Sequence, residues 1–161
     1  STPLPWKFLD LTVSRGAPNV MSPEYIFGEQ GSDYNRHYDA LVNAADLKGT
    51  AVYLSTGTGL AGTSDTPGYL KDRLINEYGV DPDSASARAL SNAMTLQVEG
   101  GVIEAAMNAC THDLMVKMRA NDVEVTHAEL RNVGTHSWAS WRDDLGLSYE
   151  KVFKKALGLE Q

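Results

Sequence analysis

A chain of 161 residues has the length of one domain or part of one, and 42% hydrophobic residues suffice for a core, which excludes a disordered chain. Its 14 basic residues are scattered among 21 acidic ones, for a net charge of −7, so neither nucleic acid nor an anionic membrane surface is expected as a partner. No apolar run approaches the ~20 residues that cross a bilayer, so no membrane span is expected. Cys110 is the only cysteine, which rules out an internal disulfide and leaves the compartment unread. No signal-peptide pattern opens at Ser1, as expected of either a mature secreted chain or a fragment.

Residues 1–23 carry Pro3, Pro5, Pro18 and Pro23 and read as loop, with one weak strand or helical turn at Phe8-Leu9-Asp10-Leu11. Ser22-Pro23-Glu24 is a helix start, soon cut short by Gly28 and Gly31. Tyr34, Tyr38, Leu41 and Ala45 fall at helical spacing and predict a helix over 33–47, stopped by Gly49. Thr50-Ala51-Val52-Tyr53-Leu54-Ser55 is a β-branched and aromatic run that predicts a buried strand, and Thr56-Gly57-Thr58-Gly59-Leu60-Ala61-Gly62 follows as a glycine-rich loop.

Thr66-Pro67 opens a helix with Leu70, Leu74 and Tyr78 on one face and Gly79 as its stop. Asp81-Pro82-Asp83 is a turn able to cap the next helix, which runs over 84–121. Leu90, Met94, Val98 and Val102 form its apolar stripe, Met107, Leu114 and Met118 continue a similar one, and Gly100-Gly101 predicts a break or kink. Val123-Glu124-Val125 alternates and predicts a strand continuing towards Leu130. A loop over 132–136 and a short helix from Trp138 come next. Tyr149, Val152, Phe153, Ala156 and Leu157 make a closing amphipathic helix that stops at Gly158. This order predicts an α/β layered fold with a mostly parallel sheet, and two strands are too few to complete such a sheet.

The segment most able to carry chemistry is Gly134-Thr135-His136-Ser137-Trp138, with Trp141 three residues on. A histidine in a glycine-bearing loop after a strand sits where general acid–base catalysis is often placed, although a loop histidine beside a tryptophan anchor has the same pattern. The stretch 132–141 resembles the catalytic-histidine loop of the antigen 85 mycolyltransferases, which reads Asn-Gly-Thr-His-Ser-Trp with a second tryptophan; Val133 is an added residue here. The strand and glycine loop over 51–59 resemble that family as well, with Leu54 at its cysteine position, and Phe27-Gly28, Ser32-Asp33 and Asn35 resemble an upstream segment in which Phe27 replaces tryptophan.

The resemblance implies the carboxy-terminal part of an α/β-hydrolase three-layer sandwich over 1–161, with an insertion or lid at 62–101. It implies His136 and Glu104 as catalytic residues, Glu104 standing 32 residues ahead of the histidine as the family's triad glutamate does, and Trp138 as substrate-binding. Glu104 lies in the apolar stretch Val102-Ile103-Glu104-Ala105-Ala106-Met107, where an inward carboxylate needs a partner such as an imidazole; Glu99 is its competitor. No Gly-x-Ser-x-Gly elbow occurs, so no nucleophile is expected in this chain; Ser55 and Ser64 flank the glycine loop without glycines on both sides.

The implied activity is transfer of mycolyl-type acyl groups between trehalose-linked lipids through an acyl-serine, in a secreted protein of the cell envelope. The implied partners are a lipid or glycolipid acyl substrate and either the amino-terminal half of the domain or a second copy. A generic carboxylesterase of the same fold, or an inactive binding or structural piece, are the alternatives. No cofactor is expected. His37, His112, His127 and His136 have no metal-ligand spacing, and Gly57-x-Gly59-x-x-Gly62 has the letters of a dinucleotide fingerprint without a helix start directly behind them.

Overall fold

The computed structural model describes residue 24 and residues 28–159. The loop expected over 1–23, the helix start at Ser22-Pro23 and the Phe27 position lie outside the described residues. Tyr53–Thr56 (β1) and His127–Leu130 (β2) form a two-stranded sheet. The His127 amide donates to the Val52 carbonyl and the Arg131 amide to the Thr56 carbonyl; the offset is the same at both ends, so the strands are parallel. Helices Pro67–Asn76 (α2), Pro82–Thr95 (α3) and Gly101–Ala120 (α4) lie between the strands in sequence, as a parallel connection requires, and the class is α/β. The strand is less buried than its apolar run predicts: Tyr53, Leu54 and Ser55 are half-buried and only Thr56 is enclosed. Val123-Glu124-Val125 is not strand; β2 begins at His127.

Two compact units divide the chain. The first takes the described part of Ser1–Leu54 with Ala109–Glu129 and Ser148–Gln161. Its core is Ala44, Met118 and Val123, with Leu47, Val52, Leu54, Leu114 and Val125 packed against it. The helix expected over 33–47 divides into Asp33–Tyr38 (α1) and a 3-10 turn at Ala44–Leu47. Side chains compete with the helical ladder there. Asn43 Nδ2 donates to the carbonyls of Arg36, His37 and Asp39, and Asp39 Oδ1 accepts the Leu41 amide at 2.8 Å. The closing helix is present as expected: a π turn at Tyr149–Phe153 runs without interruption into the short Lys154–Ala156 (α6), and Gly158 ends it at φ +68°. Val152 is its one fully buried side chain, while Tyr149, Phe153 and Leu157 are exposed.

The second unit takes Ser55–Asn108 with Leu130–Leu147. Thr66 caps α2 by accepting the Tyr69 amide, and Gly79 at φ +63° closes it, with Gly79 donating to Ile75 and Val80 to Leu74. Asp81 caps α3 by accepting the Asp83 and Ser84 amides. One π turn, Leu96–Gly100, joins α3 to α4 and is the break that the two glycines predict. The stripe Leu90, Met94, Val98 and Val102 does not form the core: all four are exposed. The buried face of α3 is Ala85, Ala89 and Ala93, whose small side chains let α2 and α3 lie close together. Both stripes repeat every four residues, so period alone does not choose between them.

Burial of the alanine face sets an asymmetric outcome for neighbouring positions. Ala89→Leu overfills a closed contact and should cost ~1–3 kcal/mol, whereas Leu90→Gln should change stability by less than about 0.5 kcal/mol. Urea denaturation of the two variants checks this; a larger loss from Leu90→Gln would reverse the assignment of faces.

Candidate active site

The site lies within the second unit, where the end of β1 meets the start of α4. Glu104 is in the first turn of α4, and its side chain is 12% exposed. One oxygen, Oε2, stands 3.1 Å from His136 Nδ1. The other, Oε1, accepts the Gly57 amide at 2.8 Å and has the Thr56 hydroxyl at 3.3 Å. That hydroxyl also lies 3.2 Å from the Gly57 carbonyl, and its single proton serves one acceptor at a time. A carboxylate only accepts, so His136 Nδ1 is the donor and the neutral ring keeps its lone pair on Nε2. Glu99, the competing acid, is exposed on the π turn. The structure thus brings Glu104 and His136 together and leaves Glu99 out.

Glycines make this approach possible. A Cβ on Gly57 would lie 2.6 Å from the Gly134 carbonyl oxygen, and one on Gly59 only 2.2 Å from that of Gly101. Gly59 has φ +85° and Gly134 φ +120°, both in the region that favours glycine. The Gly59 amide donates to the Gly134 carbonyl, Gly134 donates to Leu60, and the His136 amide donates to the Gly100 carbonyl. The glycine letters therefore serve backbone-on-backbone packing. The Gly57 and Gly59 amides, which would face a phosphate in a dinucleotide loop, are already bonded within the protein.

A second carboxylate, Asp65, supports the loop and was not singled out by sequence reasoning. It is fully buried, accepts the Thr135 hydroxyl at 2.8 Å on Oδ1, and accepts the Gly62 amide at 2.9 Å on Oδ2. Its carbonyl also accepts the Gln97 side-chain amide. In sequence Asp65 precedes Thr66-Pro67 and reads as an ordinary helix-start residue, so nothing local marks it as buried. Thr135 is the residue before His136, so Asp65 fixes the histidine from the backbone side while Glu104 fixes it through the ring.

The other side of the imidazole is aromatic. Trp141, on the helix Trp138–Ser148 (α5), meets His136 edge-on at 4.6 Å between ring centroids, and Trp138 meets Trp141 the same way at 4.9 Å. Trp138 is 77% exposed. Together with Arg73, Tyr78, Arg142 and Leu145 the two tryptophans line a depression of about 390 Å³. Arg73 Nη2 bonds Glu77 at 2.7 Å and lies 3.2 Å from the Tyr78 hydroxyl. That hydrogen bond holds the Glu77 carboxyl below its usual range and raises the Arg73 guanidinium. No group of three or more His, Cys, Asp or Glu able to hold a metal occurs among the described residues. No helix among them is long and apolar enough to cross a membrane.

Searches among family models and among curated proteins return no match to this chain. The chemistry of the site therefore rests on its own geometry.

Three substitutions at two positions probe that geometry through stability. Gly59→Ala combines a left-handed φ with a backbone clash and should cost on the order of 3 kcal/mol. Thr135→Val removes a donor from buried Asp65 and should cost ~1–3 kcal/mol, while Thr135→Ser should restore most of it. Denaturant melts read all three, and a neutral Gly59→Ala would contradict the close contact with Gly101.

Proposed function

We propose that this chain carries the acid and the histidine of a serine acyltransferase or esterase of the α/β-hydrolase fold, similar to the antigen 85 mycolyltransferases. One observation carries the reading: the Glu104 carboxyl accepts the Gly57 amide on Oε1 and places Oε2 3.1 Å from His136 Nδ1, an arrangement that, with Nδ1 donating, leaves Nε2 as the free base. That is the division of labour between the acid and the base of a catalytic triad. On this reading the parallel pair β1–β2 belongs to a larger three-layer sheet, and 62–101 is an insertion that forms part of the site's wall, since Asp65 and Gly100 hold the histidine loop.

The nucleophile comes from a serine elbow outside these 161 residues, because no Gly-x-Ser-x-Gly occurs within them. His136 Nε2 takes the proton from that serine as its oxygen attacks the acyl carbonyl, then gives the proton to the departing alcohol. In the second half Nε2 takes a proton from the acceptor hydroxyl, or from water, as its oxygen attacks the acyl-serine, and returns it to the released serine oxygen. Glu104 stays ionised throughout and stabilises the imidazolium. The substrates are lipid or glycolipid esters, mycolates on trehalose in the family it resembles, and the place of action is outside the cell or in its envelope. Exposed Leu90, Met94 and Val98 support further protein against this unit, either the amino-terminal half of the domain or a second copy. The missing elbow also favours a rival reading, an inactive binding piece.

A fluorophosphonate probe applied to this chain should label no serine; labelling of Ser55 or Ser64 would overturn the assignment of the nucleophile to another segment. In the protein that supplies the elbow, His136→Ala and Glu104→Gln should each lower kcat by ~10⁴-fold, with KM little changed. A loss below about tenfold at His136 would leave the binding-piece reading standing instead.

A further inference from the structure

Three features of the aromatic depression beside His136 have no role in proton transfer. The first is its charge: in a chain of net charge −7 its wall holds two guanidiniums, Arg73 and Arg142. The second is that the two are not equivalent. Arg73 is committed, bonded to Glu77 and the Tyr78 hydroxyl and lying 5.7 Å from the Tyr78 ring centroid, although its Nε is buried without a partner. Arg142 is exposed and has no hydrogen-bond or ion-pair partner among the described residues, and its charge reaches Glu77 only at long range. The third is position: Trp141 both lines the depression and touches the His136 ring, so a ligand there lies next to the base.

Two guanidiniums against one carboxylate leave one net positive charge on a wall otherwise made of Tyr78, Trp138, Trp141 and Leu145. Such a wall is wasteful for a neutral ligand: Arg142 would be partly desolvated with nothing to bond. A phosphate oxyanion matches a guanidinium fork with two parallel hydrogen bonds, and the rings accept the C–H face of whatever carries it. We propose that this depression is a binding site for a phosphate ester, with Arg142 taking the oxyanion, Arg73 standing behind it, and the body of the ligand lying against Trp138 and Trp141. Arg142 is then a specificity-determining residue. The inference rests on the reading of His136 and Glu104 as acyl-transfer residues only in making the ligand an acyl acceptor or leaving group; binding itself does not depend on it.

The phosphate can stand on a sugar or on a lipid headgroup. Calorimetric titration at constant ionic strength distinguishes them, with glucose 6-phosphate against glucose in one arm. The other arm uses dihexanoyl phosphatidylglycerol, below its critical micelle concentration, against dihexanoyl phosphatidylcholine. The phosphate-bearing sugar or the anionic lipid should bind at least about tenfold tighter than its control, and Arg142→Gln should weaken that binding by about tenfold or more. Arg119→Gln, in the first unit, should leave it unchanged. Whichever arm responds names the source. Absence of binding in both arms, or equal binding by Arg142→Gln, overturns the proposal. Binding is read on this chain alone, and the acyl-transfer reading through kcat of His136→Ala in the protein that supplies the elbow, so a failed acyl-transfer reading and a failed binding site give different results.

Discussion

Everything at the site depends on the desolvated carboxylate of Glu104. A charge that is largely withdrawn from water must be compensated by donors at hydrogen-bonding distance, and here these are an amide of the glycine loop and an imidazole from the loop after β2, with the hydroxyl at the end of β1 shared between the carboxylate and the Gly57 carbonyl. Removing any one leaves part of the charge uncompensated. The carboxylate therefore acts as the point to which strand, loop and helix must all be fitted, while the absence of a side chain at Gly57 answers to the Gly134 and Val133 carbonyls packed against it.

Asp65 repeats the arrangement one layer away. It is a fully buried carboxylate, where Glu104 is partly buried, and its donors are the Gly62 amide and the Thr135 hydroxyl. The two acids grip consecutive residues, Thr135 and His136, so both the backbone and the ring of the histidine are fixed. Holding a base by its neighbours as well as by its own hydrogen bond restricts it to one rotamer and one tautomer, which is what preorganisation requires. The contact of Gly59 with Gly101 adds a close joint between the glycine loop and the start of α4, where a side chain on either residue would meet the other's carbonyl oxygen.

Part of this was legible in the residues. The Gly-Thr-His-Ser-Trp segment, the apolar setting of Glu104 and the cap and stop signals around α2 and α3 all carry local chemistry, and local chemistry survives in sequence. What was not legible depended on the other side of a contact. Alanines at 85, 89 and 93 share the period of Leu90, Met94 and Val98, and hydrophobicity favours the larger set, yet close helix packing selects the smaller. The run after Thr50 looks like a fully buried strand because apolar pattern does not record how many neighbours a sheet has. Asp65 looks like a helix-start residue because its partner, Thr135, is 70 residues away. The helix over 33–47 fails because Asp39 and Asn43 bond the backbone, a competition that the positions of the apolar residues do not reveal.

The two sides of the imidazole are built in opposite ways. Behind Nδ1 the surroundings are closed, acidic and hydrogen-bonded, so that the proton there stays put. On the Trp141 side they are open, aromatic and basic, with Trp138 and Arg142 exposed to solvent and able to change partners. Under the proposed acyl transfer, a side chain that exchanges protons with different alcohols would use a fixed rear and an adaptable front. Charge is segregated in the same sense: of the two carboxylates that fix the histidine, Asp65 is buried and Glu104 is only 12% exposed, and the free guanidinium stands where an incoming anion would first be felt. One oxygen of each acid is taken up by the histidine loop itself, Asp65 Oδ1 by the Thr135 hydroxyl and Glu104 Oε2 by His136 Nδ1.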